Sequence, residues 1–137
     1  MYLNCHSYHS LRYGTLPPAE LVNILKSQGV EQAALTDINN VSAMPLFVKL
    51  CRQHGIDPVA GVECRENGKI RYVLLARNPD GFTEINQILT RYKLSNEALP
   101  VRFPAGHNVF VVYPFEALRC EEGIQAGLNR PTEMEYI

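Results

Sequence analysis

The chain has 137 residues, of which 46% are hydrophobic and 20% are charged, so it is long enough to bury one compact core. Its 13 basic and 14 acidic side chains give a formal charge of -1, which excludes a strongly basic domain that holds nucleic acid by long-range attraction. Apolar runs such as the one at 72–76 are far shorter than the roughly 20 residues of a membrane-spanning helix, so no membrane partner is expected.

The amino terminus predicts a cytoplasmic protein, in which the cysteines are reduced. The first residues carry no charged head followed by an apolar stretch, which disfavours a secretory signal. In the cytoplasm the cysteines are expected as reduced thiols, and no CxxC pair occurs among them, which disfavours a zinc knuckle and a disulfide scaffold. The pattern favours small, buried apolar roles for Cys5, Cys51, Cys64 and Cys120.

The first half of the sequence alternates strand and helix patterns. Alternation at 2–6 predicts a short strand, and Pro17 and Pro18 open a helix that ends before Gly29. A buried strand is predicted at 32–36. Apolar residues at spacings of three and four then predict a second helix, capped by Ser42 and closed by Gly55.

The second half continues with a hairpin, a helix and a further strand. The segments 57–64 and 70–76 read as two strands joined by a turn at 66–69. A helix follows at 82–92, capped by Asp80, and a last strand is predicted at 109–113, whereas the tail at 120–137 shows little periodicity. This succession predicts an α/β fold with mainly parallel strands, whose chemistry gathers at the carboxyl ends of the strands.

Three possible metal ligands lie where predicted strands end. His6, Asp37 and Glu63 fall at these places, and imidazole and carboxylate groups that converge there could hold a divalent ion and ionise its bound water for phosphoester hydrolysis. Structural roles compete with this interpretation. His6 could be a core histidine, and Asp37 could bind nearby backbone amides in a turn. Glu63 needs a partner or solvent, because burying a lone carboxylate is costly.

Several motifs resemble the polymerase and histidinol phosphatase (PHP) domain, over about residues 2–92. They are the segments 3–7, 10–14, 34–37 and 55–63. The segment 73–78, followed by Gly81, Phe82 and Asn86, more narrowly resembles the PHP domain of the alpha subunit of bacterial DNA polymerase III. The resemblance implies a distorted (β/α)7 barrel that holds metal ions at its carboxyl-end face.

The length implies that only part of this barrel is present. A closed (β/α) barrel needs roughly 200 residues or more. We therefore expect a single domain over residues 1–137 that corresponds to the amino-terminal half of a PHP domain, with 1–94 well matched and 95–137 weakly matched. A half barrel exposes strand edges, so self-association of the fragment is also expected.

The metal-ligand pattern of the family is depleted in this chain. Asn4 aligns with the first histidine of the family's opening His-x-His, and Tyr13 aligns with the acidic residue before its glycine. Ile38 aligns with the histidine of its Thr-Asp-His, and Arg71 aligns with the histidine of a later strand. The residual candidates are His6, Asp37 and Glu63. Because Arg71 would bring a fixed positive charge, we expect it to point into the cleft and pair with Glu63 or Asp37 in place of a metal ion.

The resemblance implies a fragment of a replicative DNA-directed DNA polymerase, with a structural or interaction role and without a cofactor of its own. The implied partners are the remaining polymerase domains, the proofreading exonuclease subunit and, through the parent protein, DNA. A second possibility is a phosphoesterase or proofreading nuclease that uses zinc, manganese or iron, so whether the fragment is an enzyme stays open. A free-standing regulatory or adaptor protein is a third.

Overall fold

The computed structural model describes residues 1–95, 97–104 and 106–115. Strands and helices alternate as the sequence predicts. Their bounds are β1 (Tyr2–Cys5), α1 (Pro18–Ser27), β2 (Gln32–Leu35), α2 (Met44–Gln53), β3 (Asp57–Glu66), β4 (Lys69–Ala76), α3 (Pro79–Ser95) and β5 (Val109–Val112). The expectations for the tail and for Cys120 lie outside the described residues.

Two predicted helix caps are wrong. The residue before α2 is Ala43, whose side chain cannot cap, and Ser42 lies one position further out. At α3 the carboxamide of Asn78, and not Asp80, accepts a hydrogen bond from the backbone N–H of Gly81 at 2.9 Å. Both helices have proline in their first turn, where a missing N–H is tolerated.

The strands form one five-stranded sheet in the order β1-β2-β3-β4-β5. The pairings β1–β2 and β2–β3 are parallel, but β3–β4 and β4–β5 are antiparallel, so the expectation of mainly parallel strands is only half met. A tight turn explains the first antiparallel pair, because Asn67 and Gly68 both have positive φ, as a two-residue hairpin requires. Over the described residues the sheet is open, so a closed barrel is not established.

The helices cover one face of the sheet and build two apolar clusters. One, around Phe47 and Leu35, lies beneath α1 and α2, and the other, around Leu74 and Ile85, lies beneath α3. Within the described ranges, none of the helices is long and apolar enough to cross a membrane. These clusters hold in place the strands that carry the candidate site.

The length of β3 determines where Glu63 lies. Its pairing with β2 ends at Leu35 and Ala60, and the strand then continues to Glu66 against β4. Glu63 is therefore inside β3 and not at its end, and it lies level with Ile38, to which it forms an isolated bridge. A Cβ at Gly61 would lie 2.7 Å from a backbone oxygen of β4, so glycine permits this close approach.

Candidate functional site

Asn4, His6, Glu63 and Arg65 lie together where β1 ends beside the part of β3 that runs beyond its pairing with β2, and we call these four residues the Glu63 pocket. Asn4 and His6 come from the end of β1 and the loop after it, whereas Glu63 and Arg65 lie two positions apart on β3. Residues two apart on a strand face the same side of the sheet. The pocket therefore joins one end of the first strand to the middle of the third.

Glu63 is the buried centre of this pocket. Its side chain is fully buried, and its Oε2 accepts a hydrogen bond from Nδ2 of Asn4 at 3.0 Å. Nε of Arg65 donates to the other carboxylate oxygen, Oε1. A buried carboxylate is tolerated when it is paired and hydrogen-bonded, and both conditions are met here.

His6 lies beside the same carboxylate without a hydrogen bond to it. Nε2 of His6 is 3.3 Å from Oε2 of Glu63, which is within ion-pair distance. The same Nε2 is buried and has no hydrogen-bond partner, so the geometry is that of a close contact. The pocket consequently holds one nitrogen whose hydrogen-bonding capacity is unused.

Asn4 is held in a fixed orientation by a second hydrogen bond. Its Oδ1 accepts from the hydroxyl of Thr36, and its Nδ2 is thereby directed at Glu63. The hydroxyl of Thr36 also lies 3.3 Å from the carbonyl oxygen of Cys5. The oxygen that Asn4 could offer to a metal ion is thus already engaged.

Two contacts fix Arg65: the side chain of Asn39 binds its backbone, and the ring of Tyr13 lies beside its guanidinium. Asn39 accepts from the backbone N–H of Arg65 at 2.9 Å and donates to its carbonyl at 2.8 Å. The guanidinium lies 4.0 Å from the centre of the Tyr13 ring. Such stacking is favourable for a planar, permanently charged group, so Tyr13 and Asn39 together position the cation that neutralises Glu63.

Asp37 is buried and turned toward the β1–α1 loop. Its Oδ1 accepts from the backbone N–H of Ser7 at 2.7 Å and from the hydroxyl of Ser10 at 2.6 Å, and its Oδ2 accepts from the hydroxyl of Ser7 at 2.6 Å. The backbone of Gly14 packs directly against that of Ser7, and only glycine fits there because a Cβ would lie 1.8 Å from the carbonyl oxygen of Ser7. Asp37 therefore acts as the anchor of this loop.

The prediction that Arg71 enters the cleft and pairs with Glu63 or Asp37 is wrong. Nε of Arg71 donates to Glu66 at 2.9 Å, and this hydrogen bond holds the pKa of Glu66 below its usual value. The cause lies in the register, which shifts after Cys64 and leaves Arg71 without a partner residue on β3. Such a bulge re-aims the side chain, and Arg65 occupies the place expected for Arg71.

Cys5 and Cys64 are the thiols next to the pocket along the chain. Burial and the charge of Glu63 raise the pKa of Cys64 to about 12, and burial also raises the pKa of Cys5. These shifts favour the protonated form of both thiols. Both are free in the structure, as the sequence predicts for a reduced protein.

The residues of the pocket do not fit a divalent ion. Among the described residues, no three or more His, Cys, Asp and Glu side chains are grouped to hold a metal. His6 and Glu63 are adjacent, but the carboxylate of Asp37 is hydrogen-bonded within the β1–α1 loop. The guanidinium of Arg65 occupies one oxygen of the Glu63 carboxylate. Of the remaining positions aligned with family ligands, Ile38 has no donor side chain and Tyr13 is 54% exposed.

Comparison with known proteins identifies the family. The model of the PHP domain matches residues 3–118, and the chain therefore belongs to the PHP domain family. An error-prone DNA polymerase of Symbiobacterium thermophilum is 32% identical over 97 residues, which cover 71% of this chain and 9% of the relative. The DNA polymerase III alpha subunit of Mycoplasma genitalium is 32% identical over 106 residues, covering 72% of this chain and 12% of the subunit. The chain thus spans about a tenth of these polymerases.

Solved structures support the fold. A protein from Bifidobacterium adolescentis that is proposed to be a metal-dependent phosphoesterase superposes with a TM-score of 0.53 at 16% identity, covering 68% of this chain and 32% of the other. An amidohydrolase from Chromobacterium violaceum gives a TM-score of 0.50 at 22% identity, covering 69% and 34%. At these identities the similarity establishes the mixed α/β fold alone.

Proposed function

We propose that this chain is a metal-independent PHP segment of a DNA polymerase III alpha-type polymerase, with a structural role and no phosphoesterase activity of its own. One observation carries the proposal: Arg65 and Asn4 already satisfy the carboxylate of Glu63, the residue beside which a metal ion would have to bind. A metal would have to displace a buried, hydrogen-bonded guanidinium, which is costly.

The relatives support the polymerase context. Both polymerases named above match this chain over a segment that is about a tenth of their length. The proposed partners are accordingly the remaining domains of the parent polymerase, its proofreading exonuclease subunit and, through the parent, DNA. A structural role requires a segment that folds without an ion, and the internal pairing of Glu63 supplies this property.

The experiment measures metal content and hydrolysis together. The dialysed chain is analysed for zinc, manganese and iron and then assayed on a phosphomonoester and on single-stranded DNA with each metal added. We expect metal far below one ion per chain and no turnover above that of His6→Ala, which serves as the matched control for contaminating phosphatases. A stoichiometric ion with turnover that His6→Ala abolishes would overturn the proposal.

A divalent-metal phosphoesterase or proofreading nuclease is the second candidate. The observation that favours it is Nε2 of His6, which is buried, unpartnered and 3.3 Å from Oε2 of Glu63. An imidazole and a carboxylate in this arrangement are ligands for zinc, manganese or iron. The same assay decides between the two functions, because only this candidate predicts a bound ion and hydrolysis that depends on His6.

A further inference from the structure

The turn between β3 and β4 consists of Asn67 and Gly68, and Asn67 is the one asparagine in the sequence that precedes a glycine. Both residues have positive φ, 50° at Asn67 and 77° at Gly68, as the two central residues of such a hairpin turn require. Both are exposed, and a Cβ built on Gly68 would have no heavy atom within 4 Å outside the turn. The peptide bond that joins them is therefore open to solvent.

The carboxamide of Asn67 is not used by the fold. Among the described residues it makes no hydrogen bond, and the backbone N–H groups of Asn67 and Gly68 donate none. Asn39 is the contrast, because its φ of 49° is almost the same. Its Oδ1 accepts from the backbone N–H of Arg65 at 2.9 Å, and its Nδ2 donates to the carbonyl oxygen of Arg65 at 2.8 Å. Of these two asparagines with positive φ, one is locked in place and the other is free to react.

We propose that Asn67 is a site of spontaneous covalent modification, at which its carboxamide is lost and the turn acquires aspartate and isoaspartate. The backbone nitrogen of Gly68 attacks Cγ of Asn67, so that a carbon–nitrogen bond forms while the bond from Cγ to Nδ2 breaks. The amide proton of Gly68 leaves with Nδ2 as ammonia, and a five-membered succinimide remains. Water then adds to one of the two ring carbonyls of Asn67 and opens the ring. Opening at one carbonyl gives aspartate, and opening at the other gives isoaspartate.

Glycine at position 68 is what permits this attack. Without a Cβ it neither shields its own nitrogen nor restricts rotation of the turn. The attack requires a rotation about ψ of Asn67, and the adjoining ladder yields to it easily. Its last pair, Glu66 with Lys69, lies beyond the register shift that follows Cys64. This end of the hairpin can therefore open locally while the rest of the sheet stays paired.

The two products affect the hairpin differently. Aspartate at position 67 keeps the length of the turn and tolerates positive φ as asparagine does, so the change is one added negative charge next to Glu66. Isoaspartate adds a methylene to the main chain of a turn that has only two residues. Glu66 and Lys69 then no longer meet in register, so the isoaspartyl form should be less stable.

Peptide mapping by mass spectrometry measures the modification. The chain is incubated folded and in urea and is digested with a protease that cuts after lysine, which releases the peptide 50–69, with Asn67 as its only asparagine. We expect this peptide to gain about 1 Da in the folded chain, and faster at higher pH, because the attack requires loss of an amide proton. Part of the product should be isoaspartate by electron-transfer fragmentation. The peptide 27–49, which contains Asn39, should stay unchanged over the same time.

Two variants serve as controls. Asn67→Gly accepts positive φ and lacks the carboxamide, so it should fold and its peptide should keep its mass. Asn67→Asp forms one product directly and should unfold at nearly the native urea concentration. The aged native chain should instead contain a less stable population whose share equals that of isoaspartate.

Three results would overturn the inference. The first is an Asn67 that stays intact in the folded chain although it reacts in urea, since the turn would then protect it. The second is modification of Asn39 at the same rate, since the hydrogen bonds to Arg65 would then be irrelevant. The third is the same gain of mass in Asn67→Gly, which would assign the change to another residue of the peptide. None of these results bears on the metal content or hydrolysis by which the proposed function is tested.

Discussion

Replacing Asp37 by alanine removes the anchor of the β1–α1 loop. The carboxylate is 1% exposed and accepts three hydrogen bonds, from the backbone and hydroxyl of Ser7 and from the hydroxyl of Ser10. Each donor is itself buried on the serine residues, which are at most 1% exposed. Asp37→Ala therefore leaves polar groups without partners in a place that water does not reach.

The expected cost follows from these contacts. A hydrogen bond to a charged group contributes about 1.5 to 3 kcal/mol. The three hydrogen bonds of this carboxylate, each taken at the low end, give a loss of about 4 to 5 kcal/mol in the free energy of unfolding. Asp37→Asn retains an oxygen for the backbone of Ser7 and should cost about 1 to 2 kcal/mol. Since domains are stable by about 5 to 15 kcal/mol, the alanine variant should be close to unfolded.

Urea denaturation followed by far-ultraviolet circular dichroism measures this loss, because the chain has no tryptophan to report by fluorescence. Asp57→Ala is the control: Asp57 is exposed and accepts one hydrogen bond, from Gln32, so its loss should cost about 0.5 kcal/mol. If Asp37→Ala unfolds at the same urea concentration as Asp57→Ala, Asp37 does not anchor the loop. If it instead leaves stability intact and weakens binding of a metal, Asp37 is a ligand and the structural interpretation is refuted.

Three further predictions concern the loop, the outer ion pair and the thiols. Gly14→Ala should cost about 3 kcal/mol or more in the urea assay, because its Cβ would overlap a carbonyl oxygen; equal stability to the native chain would contradict the loop geometry. Because the pKa of Glu66 is lowered, its pairing with Arg71 stabilises the fold above the ordinary glutamate pKa and is lost as the pH falls through the lowered value. Arg71→Met should thus cost about 0.5 kcal/mol at neutral pH and nothing in strong acid, and a loss that does not depend on pH would reject this assignment. Burial raises the pKa of Cys51 to about 11 and that of Cys64 to about 12, so mass spectrometry after thiol labelling at pH 8 should find both unmodified in the native protein and modified in urea.

Much of the fold could be predicted from local patterns. The periods of the helices and strands, and the Asn67–Gly68 turn of the hairpin, act over a few residues and are visible in the sequence. The end of β3 could not be predicted in this way, because the strand was expected to end at Cys64 and Glu66 to begin the turn, whereas β3 continues to Glu66 beside β4. Charged side chains are tolerated there because each of these two finds a partner of opposite charge.

The site was less predictable, since its contacts join distant parts of the chain. Asp37 contacts serines 27 and 30 positions away, and no local pattern indicates that it faces them rather than Glu63. The period of a strand does place Arg65 on the same side as Glu63, and this was the available signal for the missed residue. The resemblance directed attention to Arg71 instead, and the register shift that turns Arg71 away leaves no mark in composition.

The hairpin of β3 and β4 determines the order in which the pocket assembles during folding. Two residues join these strands, so the hairpin can form within microseconds, and it carries both Glu63 and Arg65. Asn4 arrives only after β1 has crossed over to pair with β2, which is a slower, long-range step. Stopped-flow kinetics should therefore show that Arg65→Met chiefly slows refolding, whereas Asn4→Ala chiefly speeds unfolding, and the reverse pattern would rule out this two-stage assembly.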